Sequence, residues 1–159
     1  MSAESAHRYA IGVGSNLGDR AGTIAHAARL LVADGMVRVV AVSALHETAP
    51  VGGPQQPAFL NAAWVVATAL GPHQLLYRLQ AVESACGRTR TVHWGPRTLD
   101  LDLLLRADGL ALATPALVLP HPRLAERAFV LRPLTEIAAD WPVPGLGTVA
   151  TLAAACACA

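Results

Sequence analysis

The stretch HWGPRTLDLDLLL, residues 93–105, carries the reading of this chain. Leu99, Leu101 and Leu103 alternate with Asp100 and Asp102, and side chains two apart on a strand share a face. The alternation predicts a strand over residues 99–105. One of its faces is apolar, and the other presents two carboxylates about 7 Å apart at their Cα atoms. Two ionised carboxylates that close repel unless a proton, an arginine or a metal sits between them. Magnesium bound by one or two carboxylates and substrate phosphates would use such a pair. An ordinary solvated face is the competing reading of Asp-x-Asp alone. The preceding Trp94-Gly95-Pro96-Arg97 brings a rigid turn, an aromatic and a guanidinium to the same end of the strand.

Outward from that strand, apolar periodicity places the other elements. Residues 9–14 read as a short buried strand running into Gly14-Ser15-Asn16-Leu17-Gly18-Asp19. Residues 20–33 read as an amphipathic helix, with Ile24, Ala27, Ala28, Leu31 and Val32 on one stripe and Gly35 closing it. A valine-rich strand follows over 37–44, then a Pro- and Gly-rich loop over 48–57, then a third strand over 59–68 carrying Asn61. Pro72 suits the first turn of a second helix, whose stripe is Leu75, Leu79, Val82 and Cys86 and whose end is Gly87. Residues 88–96 form a second polar loop. After residue 105 come short apolar pieces, a helix over 128–138 that Pro133 is expected to break or start, and a terminal helix over 148–157. The order β-α-β-β-α-β predicts an α+β fold: a ferredoxin-like split βαβ sandwich, its antiparallel sheet packed by helices and served by two long loops. One domain over residues 1–159 is expected, with 1–8 and 153–159 frayed.

Composition narrows the function classes. Of 159 residues, 53% are hydrophobic and 14% charged, as in a compact globular protein. A net charge of +1 gives no reason to expect nucleic-acid or membrane-surface binding. The 12 basic residues are all arginine, so no lysine serves as phosphate ligand or Schiff base. Cys86, Cys156 and Cys158 are odd in number and suggest no disulfide framework. With no apolar run of membrane-spanning length and no leader-like start, a cytoplasmic protein is expected.

Several constellations admit two readings. Gly12-x-Gly14-Ser15-Asn16-Leu17-Gly18 resembles a phosphate-binding turn but completes neither phosphate-loop pattern, so a capped tight turn is the simpler account. Arg88, Arg90 and Arg97 around Trp94, upstream of the aspartates, describe either a phosphoryl-transfer site or a surface ion-pair cluster. His121 lies between Pro120 and Pro122, in a place where a histidine is ordinarily polar surface. Asn61 suits the edge of a heterocycle or a structural hydrogen bond to a loop. Phe59 and Phe129, the only phenylalanines, are core residues by default. A non-enzymatic ferredoxin-like module that binds an effector or RNA is the alternative class. RNA-binding sheets show exposed aromatics and a basic face, which this chain lacks.

Taken together and in order, Gly14-Ser-Asn-Leu17, Pro57-Ala-Phe-Leu-Asn-Ala62, Gly87-Arg88, WGPRTLDLD (94–102), Pro120-His121 and Arg127-Ala-Phe129 are similar to the 6-hydroxymethyl-7,8-dihydropterin pyrophosphokinases, over residues 9–141. The resemblance implies transfer of pyrophosphate from MgATP to a pterin hydroxymethyl group, with AMP leaving, in folate biosynthesis. It implies that Asp100 and Asp102 hold two magnesium ions, and that Arg88, Arg97 and Asp102 are catalytic. ATP would be contacted by Glu83, Arg90, Trp94, Arg97, His121 and Arg127. The pterin would be read by Asn61 with Thr48, Ala49, Val51 and Gly52, and stacked between Phe59 and Phe129. Arg88 would swing in on a mobile loop that Trp94 helps to close. ATP and the pterin are then the partners of a monomer that binds neither nucleic acid nor membrane. The chain departs from the family where Phe59 replaces a common tyrosine, where Ala49 replaces a common proline, and where the loop from Arg88 to Trp94 is one residue short and has no lysine.

Overall fold

The computed structural model describes residues 6–16, 18–49, 58–87 and 99–157. Its centre is an antiparallel sheet of β1 (His7–Ser15), β2 (Val37–Val42), β3 (His46–Thr48), β4 (Phe59–Thr68) and β5 (Asp100–Arg106), in the order β2-β4-β1-β5 with β3 also on β4. Helix α1 (Arg20–Val32) links β1 to β2, and α2 (Pro72–Ala85) links β4 to β5. Strand β4 thus lies between β1 and β2, which is the split βαβ arrangement that the element order implied.

The sequence explains why these elements form. Asp19 caps α1 by accepting the Gly22 N–H at 3.0 Å. Pro72 opens α2, and the Gln74 side chain accepts the Gly71 N–H at 2.8 Å. Every residue of β4 from Asn61 to Thr68 is buried, as a strand covered on both faces must be. Ala62, Trp64 and Val66 meet Tyr9, Ile11, Val13, Leu99, Leu101 and Leu103 in a first core under α1 and α2. Ala63 and Val65 point the other way, with Ala10, Leu104 and Leu105, into a second core.

That second core is closed by the C-terminal part of the chain. A small hairpin of β6 (Leu112–Ala113) and β7 (Val118–Leu119) leads to a 3-10 turn over Leu124–Glu126 and then to α3 (Ala128–Ala138). A second hairpin, β8 (Pro142–Val143) with β9 (Gly147–Thr148), precedes α4 (Val149–Ala157). Val130, Leu131 and Leu134 of α3 lie against the sheet, and Val149 and Leu152 of α4, which packs on α3, complete the same core. The molecule is therefore a three-layer sandwich with helices on both faces. Among the described residues, no helix is long and apolar enough to cross a membrane.

Three expectations are corrected. The strand expected over 37–44 ends at Val42, and a further short strand, β3, follows where none was expected. Ser43 breaks off β2 by giving its N–H to Ala63 O at 2.9 Å while its hydroxyl accepts the Ala63 N–H at 2.8 Å, a side chain standing in for a ladder partner. Pro133 neither breaks nor starts a helix: α3 runs unbroken through it, and the ring is buried where packing on the sheet outweighs the lost N–H. Residues 7–8 and 153–157, expected to fray, lie in β1 and α4, with Ala153 and Cys156 against the second core. Of the loop expected over 48–57 only residues 48 and 49 are described, and the loop expected over 88–96 falls wholly outside the described residues.

Candidate active site

On the second face of the sheet the helical cover stops short, leaving a cavity of about 530 Å³. Strand register builds its floor. Gly14 is paired with Asn61 of β4 on one side and Asp100 of β5 on the other; one step along, Gly12 lies between Ala63 and Asp102. The two glycines keep side chains out of the middle of the floor. A Cβ on Gly14 would stand 3.1 Å from Asn61 Oδ1, tighter than ordinary contact. The carboxylates of Asp100 and Asp102 share this face because Leu99, Leu101 and Leu103 occupy the first core.

One wall comes from the β3–β4 pair. Thr48 lies opposite Phe59 in register, and the buried Asn61 amide donates to Thr48 Oγ1. Ala49 extends this wall. Asn61 therefore makes the structural hydrogen bond and also lines the cavity, so both readings of it hold in part.

The facing wall comes from the segment that enters α3. A bulge in β5 between its pairings with Ala10 and Ile11 turns the Leu104 carbonyl outward to accept the His121 N–H at 2.7 Å, which brings His121 to the cavity. Burial pushes the His121 imidazole below its ordinary pKa; Arg127 and Arg123 add to this and Asp100 opposes it. Its Nδ1 accepts the Arg123 N–H at 3.2 Å, so a neutral ring carries its proton on Nε2. Arg127 sets Nη1 3.5 Å from Asp102 Oδ2, with its guanidinium carbon 5.8 Å from the centroid of the Phe129 ring. Phe59 and Phe129 both line the cavity.

The structure thus brings together Thr48, Ala49, Phe59, Asn61, Asp100, Asp102, His121, Arg127 and Phe129. It keeps Glu83 out. That side chain is 4% exposed beneath α2, and its Oε2 accepts the Leu101 N–H at 2.8 Å, so it anchors β5 from the other side of the sheet. Val51, Gly52, Arg88, Arg90, Trp94 and Arg97 lie outside the described residues. Gly12, Arg123 and Glu126 line the cavity without having been singled out. Gly12 was visible in the first glycine pattern. Arg123 precedes and Glu126 ends a 3-10 turn whose three residues give no periodic signal.

An acidic floor faces the Arg127 guanidinium in this cavity, and two phenylalanines and an amide line it as well, Phe129 beside that guanidinium. An α+β fold with paired carboxylates facing an arginine in an open cavity is the setting of a group-transfer enzyme. Comparison with known proteins fixes the family. Residues 10–139 match the profile of 7,8-dihydro-6-hydroxymethylpterin-pyrophosphokinase. The 2-amino-4-hydroxy-6-hydroxymethyldihydropteridine pyrophosphokinase of Bacillus subtilis is 48% identical over 127 residues, 80% of this chain and 75% of the relative. That of Methylorubrum extorquens is 46% identical over 138 residues, 87% of each. The crystal structure described as HPPK-DHPS in complex with substrates superposes with a TM-score of 0.71 at 13% identity, covering 94% of this chain and 43% of that one. That likeness bears on the fold alone. The chain belongs to the 7,8-dihydro-6-hydroxymethylpterin-pyrophosphokinase family and is an ATP-dependent diphosphokinase of folate biosynthesis.

Proposed function

We propose that this cleft holds ATP and 6-hydroxymethyl-7,8-dihydropterin side by side, and that the pterin hydroxymethyl oxygen attacks the β-phosphorus of ATP. A bond forms from that oxygen to the β-phosphorus, the bridge to the α-phosphate breaks, and AMP leaves. The observation that carries this reading is the row Asn61–Gly14–Asp100 across three strands, which sets the slot and the acid pair on one continuous floor.

Asp100 and Asp102 fit magnesium. They are hard oxygen donors, and among the described residues no third His, Cys, Asp or Glu completes a protein-only cage, as expected where phosphates and water fill the remaining positions. Two such ions would neutralise the triphosphate when bound. Arg127 and the Nε2–H of a neutral His121 donate to phosphate oxygens from the opposite wall. Phe59 and Phe129 stack on the pterin faces while Asn61, held by Thr48, pairs with its edge. Arg97 contacts the phosphates, joined there by Arg90 and Trp94, and Arg88 meets the charge that develops in transfer. The protein acts as a monomer in the cytoplasm.

The test is incubation with ATP, magnesium and the reduced pterin, with products separated by chromatography. AMP and the pterin diphosphate in equal amounts are expected. ADP as product, or no nucleotide turnover, would overturn the reading.

A further inference from the structure

Glu136 lies on α3 seven residues after Phe129, so the two share a helix face. Its Oε1 accepts the Ala44 N–H at 2.9 Å, and its Oε2 pairs with His46 Nε2. These partners stand at the entry of β3, where His46 is the register neighbour of Asn61 and Thr48 that of Phe59. One carboxylate therefore ties the helix bearing Phe129 to the strand bordering Asn61 and Phe59. Strand β3 has three residues and sits at the sheet edge, so it has few other anchors.

We infer that Glu136 is a positioning residue that fixes the gap between the two aromatic walls, and through that gap the affinity for the planar substrate. The inference rests on the reading that the slot takes the pterin. Neither Glu136 nor the groups it binds touch the acid pair. Both side chains of the pair are about one-third exposed, 33% for His46 and 37% for Glu136, and such a pair adds little to global stability. Its loss belongs in substrate affinity rather than in the melting curve.

The experiment is steady-state kinetics on Glu136→Ala, Glu136→Gln and His46→Ala, with thermal melts of each. Glu136→Ala should raise KM for the pterin about tenfold, equivalent to about 1.4 kcal/mol. KM for ATP should stay within about twofold. Glu136→Gln should restore most of the loss, because its amide oxygen still accepts the Ala44 N–H and its amide N–H can donate to His46 Nε2. A folded Glu136→Ala with unchanged pterin KM, or with both KM values raised alike, overturns the clamp. If that variant loses its cooperative melt, His46→Ala carries the same test: a pterin-specific rise supports the clamp and an unchanged KM overturns it. Calorimetry on the wild-type chain separates the two levels. Absence of pterin binding overturns the slot and the clamp together, whereas tight wild-type binding with indifferent variants overturns the clamp alone.

Discussion

Asp102 and Arg127 face each other across 3.5 Å, the acid on the floor and the base on the wall. Removing either floor carboxylate opens no core cavity, because both residues line the cleft and neither belongs to a core. Asp100→Asn and Asp102→Asn should therefore melt no lower than the wild type by circular dichroism, yet turn over at least about a hundredfold more slowly, the scale of losing one electrostatic partner of a transition state. Near-normal turnover at ordinary magnesium would remove them from the mechanism. The pair was legible in the sequence because alternation with leucine decides which way an aspartate points. Glu83 was not. It sits beside Val82 on the buried stripe of α2, and its partner, the Leu101 N–H, belongs to a strand that only the fold brings beneath the helix.

At the scale of elements, Gly12 and Gly14 matter for the groups they leave out. Gly14→Ala would place a methyl 3.1 Å from Asn61 Oδ1, and that amide cannot give way freely while it also donates to Thr48. The substitution should raise KM for the pterin while leaving KM for ATP nearly unchanged, measured by titrating each substrate against the other at saturation; equal effects would place Gly14 outside the slot. Strands β1, β4 and β5 and helices α1 and α2 were readable from periodicity and caps. The bulge in β5 was not, since Leu103-Leu104-Leu105 looks the same whichever leucine is extra, and only the pairing with Ala10 and Ile11 decides. Strand β3 was hidden for a related reason. Three residues are too few to show a period, and its strand character comes from pairing with β4.

For the whole molecule, titration links the layers to pH. Hydrogen bonds from Arg78 hold Asp34 below the ordinary carboxylate range, Arg106 does so for Asp108, and the Ala44 N–H followed by His46 does so for Glu136. A carboxylate lowered on folding stabilises the native state above its unfolded pKa and loses that contribution as pH falls through the folded value. His121, lowered by burial, also favours the folded state while neutral, and that advantage fades below its unfolded pKa of about 6.5. The melting temperature of the ligand-free protein should thus fall in two limbs, one starting below about pH 6.5 and a shallower one below about pH 4.5, since exposed ion pairs contribute little. His121→Gln should flatten the first limb and Asp34→Asn part of the second; unchanged limbs would place the acid sensitivity elsewhere.

The cover that α3 lays over the sheet leaves Gly12 and Gly14 facing the cavity, so a flat ligand seated as proposed between the phenylalanines would become the last layer of the second core. Folding and occupancy then share one equilibrium, and a ligand at a hundred times its Kd adds about 2.7 kcal/mol to stability. Amide exchange in the strands beneath the slot should slow when it fills, and exchange that ignores the ligand would refute the link. A tight planar inhibitor would act as a splint. It would silence each copy of the enzyme while shielding it from proteolysis, so cells treated with it would accumulate the protein they can no longer use.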